Sequence, residues 1–102
     1  MARASTTSDP FNAIAEPRRR HILEFIAAEE RSVTEIAAAL ELGQPSVSKH
    51  LQVLHSAGFV KRRRDGLFTY YALADRRVFK LCDIMCGRLG AESATRRRIV
   101  VR

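Results

Sequence analysis

Residues 32–60 read SVTEIAAALELGQPSVSKHLQVLHSAGFV, and the reading of this stretch decides the fold. Ser32 followed three residues later by Glu35 is a capping box, in which each side chain satisfies a backbone amide that a helix start leaves free. Val33, Ile36, Ala37 and Leu40 then recur at helical spacing, which predicts a two-turn helix from Val33 to Leu40. Glu41-Leu42-Gly43 closes it on a glycine. Gln44-Pro45-Ser46 opens another helix, with proline tolerated in a first turn whose amides have no intrahelical partner. So short a break forces a sharp angle between the two helices. In the second one Val47, Leu51, Leu54 and Gly58 share one side, which leaves Pro45, Ser48, Lys49 and Gln52 on the opposite face. That outward face is small and polar. Gln44 and Ser46 stand at its amino-terminal end, where free amides can meet a phosphate, and Ser, Gln and Lys can bond to base edges in a major groove.

Beyond Gly58 the period changes from helix to strand. Phe59 and Val60 lead into Lys61, Arg62, Arg63 and Arg64, then Asp65-Gly66, then Leu67-Phe68-Thr69-Tyr70-Tyr71-Ala72-Leu73. Strand-rich flanks around Asp-Gly predict a β-hairpin, and its arginines suit phosphates or a minor groove. Taken singly, each feature has a plainer reading: the helix face is a solvated face, and the arginines protect an edge strand from aggregation. Helix, turn, helix and basic hairpin in that order make a more specific combination, which points to double-stranded DNA.

The flanks extend the helical pattern. Residues 1–8 are small and polar and read as a disordered arm. Asp9 caps a short helix through Pro10, Phe11, Ile14 and Ala15, which stops before Glu16-Pro17 because the residue before a proline is pushed out of helical geometry. A second helix then buries Ile22, Leu23, Phe25 and Ile26, and leaves Arg18, Arg19, Arg20 and Glu24 in water. After the hairpin, Asp75 caps a last helix of about fifteen residues. Its stripe runs Val78, Leu81, Cys82, Met85 and Leu89, beside Phe79 and Cys86. Residues 91–102 lose periodicity and read as a basic flexible tail, so residues 9–90 form one domain. The expected fold is mainly α, with about five helices and a two-stranded wing.

The chain has 102 residues, 46% of them apolar, and a formal charge of +7, a balance that favours a polyanionic partner. No stretch is long and apolar enough to span a membrane, and the start lacks the apolar core of a secretory signal, so a cytoplasmic protein is expected. No nucleophile-base pair, Gly-rich phosphate loop or close carboxylate pair anchors catalysis. The expectation is a non-enzyme without a cofactor.

The run from Ile14-Ala15-Glu16-Pro17-Arg18-Arg19 through TEIAAALELGQPSVSKHLQVLHSAGFVKRRRDGLFTYYAL resembles the ArsR/SmtB winged helix-turn-helix repressors over about residues 9–90. The resemblance implies a homodimer packed through its first and last helices, bound to an inverted-repeat operator until an effector releases it. The short first helix and over-apolar last helix support a dimer independently, since they offer more apolar surface than one small core can cover. Metal-sensing members carry a cysteine box before the recognition helix; the matching positions here are Ser32 and Thr34. The last helix offers Asp83 and Glu92 but no histidine at a matching spacing, so no metal site is expected. Cys82 and Cys86, one helical turn apart, admit three readings: buried packing, a thiol redox switch, or a four-cysteine metal site across a dimer axis. His50 reads as a packing or phosphate contact, and His21 and His55 share no metal spacing with it. The alternative to a DNA-binding regulator is a winged-helix module that holds another protein. The effector is left open.

Overall fold

The computed structural model describes residues 9–87. In chain order the elements are α1 (Pro10–Ala15), α2 (Pro17–Ile26), β1 (Arg31–Ser32), α3 (Val33–Leu40), α4 (Gln44–Ser56), β2 (Val60–Asp65), β3 (Phe68–Leu73) and α5 (Val78–Met85). The arm expected at residues 1–8 and the tail at residues 91–102 lie outside the described residues, whereas the last helix, expected to run about fifteen residues toward Leu89, closes already at Met85, where Cys86 caps it and Gly87 turns the chain at a φ of 69°.

Local chemistry sets the helix boundaries. Asp9 Oδ1 accepts from the Phe11 amide at 3.0 Å, and Pro10 occupies the first turn of α1. Pro17 forces Glu16 into an extended conformation (φ −88°, ψ 123°), which ends α1 and begins α2 at one residue. Glu16 then caps α2, its Oε1 accepting from the Arg18 amide at 2.8 Å. The capping box of α3 is complete, with Glu35 N–H on Ser32 Oγ at 3.0 Å and Ser32 N–H on Glu35 Oε1 at 2.9 Å.

Several details depart from the sequence reading. Arg19 and Arg20 turn back from water: Arg19 donates to the carbonyls of Ala13 (2.7 Å) and Asn12 (3.2 Å), and Arg20 to those of Ile14 (2.6 Å) and Ala15 (3.1 Å). These carbonyls are the unpaired carboxyl end of α1, and two guanidinium groups satisfy them at the negative pole of the helix. The left-handed residue that ends α3 is Glu41 (φ 56°), whereas Gly43 is extended and caps α4. The hairpin turns on Gly66-Leu67 instead of Asp65-Gly66, since Asp65 pairs with Phe68, and Gly66 supplies the positive φ of 63°. A third strand joins the wing. β1 pairs with β3, giving the antiparallel order β1-β3-β2.

The last helix also starts later than expected. Asp75 Oδ1 accepts from Arg77 N–H at 2.9 Å, and the amides of Val78, Phe79 and Lys80 bond back three residues in a tight turn. Asp75 therefore caps that turn, and α5 proper begins at Val78. Val78 and Cys82 are buried, while Met85 and Cys86 are exposed.

All the helices meet at one core. Ile14 from α1, Ile22 and Leu23 from α2, Ile36 from α3 and Val47, Leu51 and Leu54 from α4 are each 0% exposed. Phe59, Val60 and Tyr71 close it from the wing, and Val78 and Cys82 from α5. Truncating the centre of this set should leave a void, because neighbours on several elements collapse only partly. Leu51→Ala is expected to cost about 2 to 5 kcal/mol in urea denaturation; unchanged stability would mean that α4 is rotated away from this packing.

Candidate nucleic-acid interface

The site is built on the side of α4 that the core leaves free. Gln44, Pro45, Ser46, Lys49 and Gln52 are exposed, and Ser48 is half-buried. Gln44 Nε2 also reaches Thr34 Oγ1 at 3.5 Å, tying the start of α4 to the start of α3. Ser32 and Thr34 thus serve helix geometry, one as cap and the other as this acceptor.

Arg62, Arg63 and Arg64 are all exposed, yet they do not share a surface. Successive residues of a strand point to opposite faces. Arg62 and Arg64, paired across the hairpin with Tyr71 and Thr69, line an open groove of about 440 Å³ between α4 and the wing. Ser48 and Gln52 form its other wall, and Val33, Thr69 and Tyr71 complete it. Arg63 lies on the far face, where its guanidinium binds Glu30 through two hydrogen bonds of 2.9 and 2.7 Å. Glu30 holds the Arg63 pKa above its ordinary value, and the same bond from Arg63 is the main cause that lowers the carboxyl of Glu30. Of the nine residues singled out for DNA, the groove gathers Ser48, Gln52, Arg62 and Arg64. Gln44, Pro45, Ser46 and Lys49 flank it along α4, and Arg63 faces elsewhere.

Sequence reasoning missed Val33, Thr69 and Tyr71 as groove residues, and missed Glu30 altogether. The strand period of two was the available signal for separating Arg63 from its neighbours. Nothing local could pair Arg63 with Glu30, which lies 33 residues away.

His50 sits on α4 toward the first two helices, with its Nδ1 3.3 Å from Arg19 Nη1. Burial lowers its pKa below the ordinary 6.5, with Arg19 and Arg18 adding to the effect, against an upward pull from Glu16. Glu16 itself is raised by burial, but the Arg18 amide and the nearby charges of His50 and Arg18 outweigh this and lower it. Among the described residues no three His, Cys, Asp or Glu side chains gather in a way that could hold a metal ion.

The two thiols have different surroundings. Cys82 is buried, and desolvation pushes its pKa up to about 11, so it stays protonated at neutral pH. Cys86 is exposed, and neither cysteine is in a disulfide. The buried position favours packing for Cys82 and leaves Cys86 as the accessible thiol.

Comparison with known proteins places this geometry in context. Residues 16–62 match the model for bacterial regulatory proteins of the arsR family. A transcriptional repressor SmtB homolog of Synechocystis is 37% identical over 79% of this chain, which spans 61% of that protein's length. A probable mercury resistance operon repressor of Streptomyces lividans is 40% identical, with 87% of this chain and 70% of the relative covered. Among solved structures, a homodimeric winged helix-turn-helix DNA-binding domain from Mycobacterium bovis superposes with a TM-score of 0.69 at 32% identity, covering 86% of this chain and 84% of that one. NolR from Sinorhizobium fredii gives 0.68 at 30% identity, covering 88% and 91%.

Two outcomes follow from the site's electrostatics. A histidine whose pKa is depressed in the folded state contributes stability that is complete above its unfolded value and declines as pH falls below it. The thermal midpoint should therefore drop as the pH falls below about 6.5, and His50→Gln should flatten that segment of the curve. An unchanged slope in the variant would assign the effect to other groups. A thiol-alkylating probe at neutral pH should modify Cys86 well before Cys82, read by peptide mass; equal rates would show that Cys82 is not shielded.

Proposed function

This chain belongs to the ArsR family of bacterial regulatory proteins, and on that footing we propose that it is a cytoplasmic transcriptional repressor that binds an inverted-repeat operator as a homodimer. The groove between α4 and the wing carries the reading. One wall presents Ser48 and Gln52 on a helix narrow enough for a major groove, and the other presents Arg62 and Arg64. The helix reads base edges with Gln52, Lys49, Ser48 and the exposed residues Gln44, Pro45 and Ser46 at its start. The two arginines hold phosphates or enter the flanking minor groove, and set the register.

The dimer supplies the second half-site. Phe11 on α1 is 53% exposed, and Ile84 and Met85 on α5 are 52% and 37% exposed. α1 and α5 pack against each other, so these apolar side chains lie on neighbouring elements. A second copy covering them removes that surface from water. The absence of thiolates at Ser32 and Thr34 separates this chain from a cysteine-box metal sensor. Of the two thiols, Cys86 is the one open to oxidants, because Cys82 is buried and protonated.

Binding to a duplex from the region upstream of the protein's own coding sequence, followed by fluorescence anisotropy across a salt series, tests the assignment. Arg62→Ala and Arg64→Ala should each flatten the dependence of log affinity on log salt by about 0.9, the loss of one phosphate contact. Lys49→Ala or Gln52→Ala should lower discrimination against a scrambled duplex by about 1 to 3 kcal/mol. Binding that ignores salt would overturn the reading and favour a protein partner.

A further inference from the structure

Arg63 is the middle of three consecutive arginines, and it is the one whose charge is already matched. Its Nε donates to Glu30 Oε2 and its Nη2 to Glu30 Oε1, a fork on a carboxylate that a lysine cannot reproduce. The guanidinium carbon also lies 4.7 Å from the centre of the Tyr70 ring, and Nη1 is 3.6 Å from Asp65 Oδ2. Tyr70 faces Arg63 across the hairpin and pairs on its other side with Ser32, the residue that caps α3. A continuous line of contacts therefore runs from the segment before β1, through Arg63 and Tyr70, to the start of the helix-turn-helix. A lone exposed ion pair contributes little because water competes for both groups. Here the bidentate geometry, the aromatic face and the strand pairing all restrain the same piece of β2.

We propose that Glu30 and Arg63 are positioning residues, a latch that fixes the angle of the wing against α4 so that Arg62 and Arg64 meet the nucleic acid while Arg63 does not. The proposal rests on the reading of the groove as a DNA surface. It assigns an acidic residue a favourable part in binding a polyanion. Charge alone gives the opposite sign, because removing a carboxylate near DNA should tighten binding.

The test measures DNA affinity and, without DNA, the hydrogen exchange of backbone amides, both on the full chain. With the same upstream duplex, Glu30→Gln should weaken binding about three- to fivefold while the salt slope stays at its wild-type value. Arg63→Lys keeps the charge but loses the fork, and should weaken binding by a similar factor. The double variant should be no weaker than either single one, since both break one contact. In the absence of DNA, amides of β2 and β3 should exchange faster in Glu30→Gln, with those of α4 unchanged. Tighter or unchanged binding by Glu30→Gln overturns the latch, and so does wing exchange at the wild-type rate. A salt slope reduced by about 0.9 in Arg63→Gln, which removes the charge, would instead make Arg63 a phosphate contact. Wild-type protein that shows no salt-dependent binding refutes the assignment of the groove, and the exchange rates still decide whether Glu30 restrains the wing.

Discussion

The rotation of α4 about its own axis is the constraint from which the rest of the molecule follows. Val47, Leu51 and Leu54 occupy one stripe of that helix and have no exposed surface at all. Turning the helix by one residue, about 100°, would bring polar side chains against Ile22, Leu23 and Ile36 and put leucines in water. The buried stripe thus decides which residues are left outside. Ser48, Lys49 and Gln52 are presented because the core accepts only their neighbours, and the solvent-facing side is the complement of the packing face.

The first two helices serve the same end by a different route. Pro17 makes a corner of Glu16, and a corner between two short helices leaves carbonyls pointing at nothing. Arg19 and Arg20 fill that gap, and Arg19 also touches His50 on α4. One side chain therefore spans the end of α1, its own helix and the recognition helix. The element carrying exposed Phe11 is joined to the element carrying Lys49 by hydrogen bonds as well as by apolar contact.

Most of this order is legible in the residues themselves. The capping box at Ser32 and Glu35, Pro10 and Pro17 in first turns, and the spacing of Val47, Leu51 and Leu54 are local signals, and each predicts the element that forms. The wing follows from the change of period after Gly58. What escaped were contacts between distant parts of the chain. Arg19 and Arg20 look solvated when only their neighbours are considered, because the carbonyls they meet belong to the preceding helix. β1 is two residues long and has no periodicity of its own; it exists because β3 has an edge to fill. Glu41 took the left-handed position expected of a glycine because the chain had to turn one residue after Leu40, two places before Gly43. The groove is half legible: its basic residues stand out as a run, but only the pleat of the paired strand sends Arg62 and Arg64 to one face and Arg63 to the other.

That division has a bearing on how such a surface can change over generations. Arg62 and Arg64 face the groove, and Arg63 faces Glu30 and Tyr70 from the other side of the same strand. Substitutions at the first two positions alter the chemistry offered to the groove without disturbing the contacts of the third. A single inserted or deleted residue, by contrast, would exchange the two faces, and the run of three identical residues softens even that, since an arginine still meets each side. The strand is thereby free to drift in the chemistry it offers the groove while it keeps its place in the fold.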